Sequence, residues 1–232
     1  MSFKTDAFVL RIRPWREADR LYDLYTPQEG VINVILKSAV KAGNKLSGHL
    51  LPFSKVRVMI GRGKMDHMAG AAVINSFGNL RKDLRNLSLA SSVVELFLGD
   101  QSRGQKFSEF SLLEHIFTIL EHKSIPMGKK LIMVRAFLWK YLSLSGWQPR
   151  FEAGQSVSNQ GIIYMEHDNI KTIPISSELF DFLQLIIRSD WHELINLSID
   201  KNLNKEWLKV SQIYYQAIYD RPSQSLKLFS YG

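Results

Sequence analysis

The chain has 232 residues, 45% hydrophobic and 22% charged, an ordinary globular usage that excludes a disordered chain. It contains no cysteine, which excludes disulfides, thiolate zinc sites, iron–sulfur clusters and cysteine nucleophiles. Lys and Arg number 30 against 22 Asp and Glu, and the formal charge of +8 favours a polyanionic partner.

The N-terminal run MSFKTDAFVLRIRPW has no long apolar core, because Arg11 and Arg13 interrupt it. No segment reaches the roughly 18–20 apolar residues of a membrane helix, so a cytoplasmic protein without a membrane partner is expected. Charge is unevenly spread. Residues 1–80 carry twelve basic and six acidic side chains, net +6; residues 81–232 carry eighteen and sixteen, net +2. That asymmetry points to separate modules, the first built for an anionic ligand.

The first module reads as strands. Phe8, Leu10 and Ile12 alternate with Val9, Arg11 and Arg13, and Leu21–Thr26 and Val31–Lys37 follow across the Pro27–Gly30 turn cluster. Val56, Val58 and Ile60 alternate with Lys55, Arg57 and Met59; Gly61–Gly63 breaks the pattern and Met65–Ile74 returns as a fifth strand. Five short strands on a basic background predict an OB-fold barrel over residues 1–80. From Leu80 the period becomes helical. Leu84, Leu87, Ser91 and Val94 mark one helix, and Leu113, Ile116, Phe117 and Leu120 a second. Leu131, Val134, Phe137, Leu138, Tyr141 and Leu142 mark a third, ended by Gly146. Residues 147–175 are loop-like and short-stranded. Ser177 reads as the N-cap of a helix through Ile186, and a last helix carrying Trp207, Val210, Tyr214 and Ala217 stops at Pro222. The expected class is α+β: the barrel, then a helical domain over 81–232 with a small β/loop subdomain inserted at about 147–175.

Catalytic and metal motifs are missing. None of the six histidines forms H-x-x-x-H or H-E-x-x-H. His115 and His122 share a helix face only across two turns, about 10.5 Å, too far for one metal. Gly61-Arg62-Gly63-Lys64 lacks the spacing of a phosphate loop and reads as a hairpin turn. There is no G-x-S-x-G and no carboxylate cluster with metal spacing, so neither an enzyme nor a cofactor is expected.

The basic and aromatic residues of the first module say more. Arg11, Arg13, Arg16 and Arg20 lie along the first strand and its exit; Lys37, Lys41 and Lys45 recur every four residues; Arg57, Arg62 and Lys64 sit on and after the fourth strand. Trp15, Tyr22, Tyr25 and Phe53 are interleaved, the last three with the burial expected of core residues. Cations neutralise phosphates and aromatic rings stack bases, which together make a groove for single-stranded nucleic acid. A solvated face over core aromatics is the plainer alternative for any one of these side chains.

The run Ala7-Phe8-Val9-Leu10, then Arg13-Pro14-Trp15, Glu17-Ala18-Asp19-Arg20, Leu24-Tyr25-Thr26 and Val34-Ile35-Leu36-Lys37, resembles the bacterial recombination mediator family RecO. Lys45-Leu46-Ser47-Gly48-His49-Leu50-Leu51-Pro52-Phe53 is the most distinctive stretch. Ser76-Phe77, Leu80-Arg81, Asp83-Leu84, Arg135-Ala136-Phe137 and Gly146-Trp147-Gln148-Pro149 extend the likeness. It covers the chain well to about residue 150 and weakly beyond. The resemblance implies an OB-fold followed by a helical domain. It also implies binding of single- and double-stranded DNA, annealing of complementary strands, and partnership with the single-strand-binding protein SSB and with RecR, helping RecA load onto SSB-coated DNA. Many relatives carry two C-x-x-C pairs after the Gly-Trp/Tyr-x-Pro element. Here residues 150–175 have none, so Val157, Ile162, Ile163, Tyr164 and Ile173 are expected to form an apolar cluster in place of zinc.

The resemblance further implies that the helical domain receives SSB's acidic C-terminal tail, a ligand that needs an apolar pocket rimmed by cations. The third helix supplies Lys129, Lys130 and Arg135 beside Leu131, Ile132, Phe137 and Leu138, with Arg135 suited to a carboxylate by its planar fork. Two other functional classes stay open: an RNA-binding OB protein, and an adaptor whose basic face recognises acidic proteins. A structural zinc needs four ligands, and His167 with Glu166 and Asp168 beside it supplies no typical tetrahedral set. Elemental analysis of the purified protein is expected to find no stoichiometric zinc.

Overall fold

The computed structural model describes residues 1–41, 44, 46–48, 50–99, 104–153, 160–165 and 171–219, with the backbone alone at 150–153, 160–165 and 171–172. It divides into two compact units, Met1–Lys123 and Ser124–Gly232.

In the first unit, β1 (Ser2–Trp15), β2 (Asp19–Thr26), β3 (Gly30–Leu36), β4 (Lys55–Gly61) and β5 (Asp66–Asn75) form a closed barrel in the order β1-β2-β3-β5-β4. Neighbours are antiparallel except β3 and β5, which run parallel through only two register pairs, Val34↔Asp66 and Ile35↔His67. This is the OB arrangement expected from the five-strand pattern. Its interior holds Ala7, Val9, Tyr22, Leu24, Val34, Leu36, Val56, Val58, Ile60 and Met68, all buried. The Gly61–Lys64 segment is the β4–β5 hairpin turn that its spacing suggested.

Simple alternation along β1 is broken. Val9 pairs with Leu24 and Arg11 with Asp23, so Leu10 is an extra residue opposite the β2 backbone. Such a bulge switches which side chains face each way. Phe8 therefore lies on the outer face while Val9 and, beyond the bulge, Ile12 pack into the interior. Arg11 and Arg13 return to the outer face.

That outer face is covered by helices. A short 3-10 turn (Leu80–Lys82) leads into α1 (Leu84–Gly99) and α2 (Phe107–Glu121). Glu121 accepts the Asn79 and Leu80 N–H groups at 3.1 and 2.8 Å, satisfying donors that the start of a helix leaves open. Phe8 sits 4.9 Å from Phe110, 5.5 Å from Phe117 and 6.4 Å from Phe77, and Tyr25 lies 4.5 Å from Phe97. These offset and edge-on geometries suit ring quadrupoles and add to area burial.

In the second unit, α3 (Met127–Leu144) ends at Gly146, whose φ of 87° lets Trp147 N–H return to the Leu142 carbonyl at 2.9 Å. Strands β6 (Arg150–Ala153), β7 (Gln160–Met165) and β8 (Lys171–Ser176) form an antiparallel sheet, followed by α4 (Ser177–Arg188), α5 (Trp191–Asn196) and α6 (Lys201–Tyr219). Ser176, not Ser177, caps α4: its hydroxyl accepts Leu179 N–H at 3.1 Å and donates to Glu206 on α6 at 2.6 Å. Trp139 stacks on Tyr214 at 4.9 Å and donates to Ser211 at 2.9 Å, binding α3 to α6. Of the apolar set expected to replace zinc, Ile173 is buried, the Ile162, Ile163 and Tyr164 backbones lie in β7, and Val157 falls outside the described residues, as does Pro222.

Phe8→Ala should empty the ring layer between the barrel and α2. The expected cost is about 3–5 kcal/mol, read as a lowered midpoint in chemical denaturation.

Candidate nucleic-acid interface

The predicted basic residues fall into two groups, those bound to carboxylates and those without one. On the outer face beyond the β1 bulge, Arg11 Nε donates to Asp23 Oδ2 at 2.7 Å and Arg13 Nη2 to Asp23 Oδ1 at 2.6 Å. The Asn33 amide donates to the same Oδ1 at 2.7 Å. Asp23 is 1% exposed while the two arginine side chains stay 50% and 42% exposed. Arg57 on β4 grips Asp6, its own register partner on β1, through two bonds of 2.7 and 3.2 Å. Both bonds hold its guanidinium charged and raise its pKa. Arg62 is bound by Glu29 and by Asp66, the latter at 2.5 Å, and lies 4.3 Å from the Phe3 ring centroid.

Arg16, Arg20, Lys37, Lys41 and Lys64 have no carboxylate within ion-pair distance among the described residues. The first four share one corner of the barrel. Arg20 and Leu36 are register partners, Val40 N–H donates to the Ala18 carbonyl at 3.1 Å, and Ser38 N–H donates to Asp19 Oδ1 at 2.8 Å. The β1–β2 turn is thereby tied to the segment leaving β3. Asn44 holds that segment from its other side, donating to the Lys37 and Ser38 carbonyls at 3.3 and 3.1 Å. Arg16 and Ser38 both adopt left-handed backbone, φ 53° and 54°, which turns the chain sharply at each side of the corner. Arg20 lies close enough to Tyr22 for its charge to pull that phenol's pKa down, against the larger upward push of burial. Glu17 shares the turn, so the corner is basic but not uniformly so.

Half-buried Trp15 sits at this corner, while Tyr22, Tyr25 and Phe53 are buried at 1%, 1% and 6% exposure, in the core as expected. Lys45 lies outside the described residues. Arg62 and Lys64 belong elsewhere: their hairpin lies by Ser2, where β1 begins, and the corner lies by Trp15, where it ends. Those positions are separated by roughly 40 Å of strand contour.

Sequence reasoning missed Asp23, Asn33 and Asn44. A lone acid inside an apolar strand was the available signal for Asp23, because a buried carboxylate requires cationic or amide partners.

On α3, Lys130, Arg135 and Leu138 are buried, and Lys129 and Leu131 half-buried. Arg135 is 1% exposed, donates to Asn204 Oδ1 at 2.5 Å and lies 4.9 Å from the Trp207 ring centroid. Burial pushes its pKa down to about 10. Lys129 Nζ donates to the Leu197 carbonyl. The fork expected to face a tail carboxylate therefore faces α6, and a tail reaching it would have to displace Asn204. No group of three His, Asp or Glu side chains that could hold a metal ion occurs among the described residues; Glu166, His167 and Asp168 lie outside them. No helix among those residues is long and apolar enough to cross a membrane.

Comparison with known proteins is consistent with this geometry. Residues 1–77 match the family model for the recombination protein O N terminal. A protein of Dehalococcoides mccartyi named DNA repair protein RecO is 30% identical over 223 residues, 88% of this chain and 86% of the relative. Proteins of the same name from Alkaliphilus metalliredigens and Clostridium novyi are 26% and 24% identical, covering 95% and 99% of this chain and 95% and 94% of their own.

Because the Arg135 side chain fills the space between α3 and α6, Arg135→Ala should lower stability by about 2–4 kcal/mol, mainly through lost packing. Thermal denaturation followed by circular dichroism reads this directly.

Proposed function

This chain belongs to the RecO family of DNA repair proteins, and on that footing we propose that it is a non-enzymatic recombination mediator acting on DNA in the cytoplasm. It binds single- and double-stranded DNA, anneals complementary strands, and helps load RecA onto SSB-coated DNA with SSB and RecR as partners. The observation that supports this reading is the corner of the OB barrel. There Arg16, Arg20, Lys37 and Lys41 stand without carboxylate partners, beside a half-exposed indole at Trp15. Unneutralised cations release counterions from a phosphate backbone, and an aromatic face stacks any base, so such a surface binds with little sequence preference.

Within this reading the barrel of residues 1–80 is the nucleic-acid module. The helical part takes the SSB tail through cations and apolar side chains of α3, among them Lys129, Lys130, Leu131, Arg135 and Leu138. Arg11, Arg13, Arg57, Arg62 and Lys64 extend the basic surface, and Lys45 is kept as a further phosphate contact on the sequence pattern alone. Their contribution to affinity is smaller wherever a carboxylate already holds the charge, because a phosphate must compete with it.

The whole 232-residue chain carrying Arg16, Arg20, Lys37 and Lys41 all changed to Ala should anneal complementary DNA strands more slowly. Each lost phosphate contact lowers the log–log salt slope of binding by roughly 0.7–0.9. Parallel titrations with matched RNA test the polymer preference. Unchanged annealing and an unchanged slope would place the DNA site off this corner, and tighter binding of RNA than of DNA would favour the RNA-binding class.

A further inference from the structure

Asp23 is an unusual residue for its position. It is almost fully buried on the outer face of β2, and Arg11, Arg13 and Asn33 all converge on it. A buried ion pair is a weak source of stability, since an apolar side chain of similar size avoids the desolvation of both charges. Nor is the arrangement tuned for stability: Arg13 Nε is buried with no hydrogen-bond partner among the described residues. What the arrangement does accomplish is geometric. Two like charges on one strand face repel, yet here they are held side by side. Arg11 spends only its Nε on Asp23, which leaves both of its terminal nitrogens for another ligand; Arg13 spends Nη2, which leaves Nη1. Both side chains remain about half exposed on their outer sides.

We propose that Asp23 is a positioning residue that locks Arg11 and Arg13 into a paired clamp for a nucleic-acid phosphate, with Asn33 fixing the carboxylate. This rests on the DNA-binding reading above and adds a second contact region to the corner at Arg16, Arg20, Lys37 and Lys41. The clamp binds phosphodiester oxygens through planar guanidinium N–H groups, an orientation-dependent contact that a mobile ammonium does not reproduce.

The test turns on the sign of one effect. Asp23→Asn removes a negative charge from the surface. If Arg11 and Arg13 act only through charge, this variant binds a DNA oligonucleotide more tightly and with a steeper salt slope. If Asp23 positions them, affinity falls, by about tenfold, despite the added net positive charge. The variant, made in the whole chain, is checked for an unchanged fold by circular dichroism. A second variant, Arg11→Lys with Arg13→Lys, keeps the charge and removes the forks; it is expected to weaken DNA binding with its salt slope lowered by less than one contact's worth. It decides the matter should Asp23→Asn not fold. Parent-like or tighter binding by Asp23→Asn, or parent-like binding by the double Lys variant, overturns the clamp while leaving the corner intact. A parent protein that binds an acidic peptide but no DNA overturns both readings.

Discussion

Between Val9 and Arg11 the register of β1 on β2 slips by one residue, and both faces of the barrel depend on that slip. Before it, Phe8 and Tyr25 point outward and are covered by α1 and α2. After it, Arg11 and Asp23 are the outward pair, while Ile12 and Tyr22 continue the interior. Unbroken alternation would turn Ile12 out and Arg11 in, leaving a cation in an apolar core. The extra residue therefore lets one strand serve two different environments, a dry one under the helices and a wet one beyond them.

The wet end shows how misleading a raw charge count is. The net +6 of residues 1–80 describes the composition, but the fold pairs much of it internally. Asp23 absorbs two arginines, Asp6 a third, and Glu29 with Asp66 a fourth. Four of the five predicted cations left without a carboxylate among the described residues lie near the β1–β2 turn, where hydrogen bonds from the Val40 and Ser38 N–H groups draw two basic segments together. The adjacency is created by the barrel and by nothing local.

This division marks the limit of what the sequence could reveal. Strand and helix positions were legible because their periods differ, and the five-strand module emerged from spacing alone. The bulge was not, since Leu10 and Ile12 are both apolar and fit an uninterrupted alternation. The α4 cap fell one residue early, at Ser176, because two serines stand side by side and Glu206, some thirty residues on, selects between them. Arg135 illustrates a different limit. The i±3 and i±4 spacing that set it beside Leu131 and Leu138 is also the spacing of a packing face, and in the structure α6 occupies that face. Which carboxylate meets which guanidinium depends on cross-strand register, a long-range property that no window of sequence contains.

The pairing of β1 with β4 carries a consequence for biosynthesis. Ser2 lies opposite Gly61, and the ring of Phe8 waits for Phe110 and Phe117. Within this unit β1 is thus made before the other strands and covered only once α2, the unit's final helix, has been made. At about 5–20 residues per second, its apolar outer face stays uncovered for many seconds while the helices that shield it are still being translated. For the first part of that interval, until Lys55–Gly61 has been made, β1 also lacks its β4 neighbour, the condition in which strands pair with the wrong chain. Lys4 and Asp6 put charge on that edge for as long as the wait lasts.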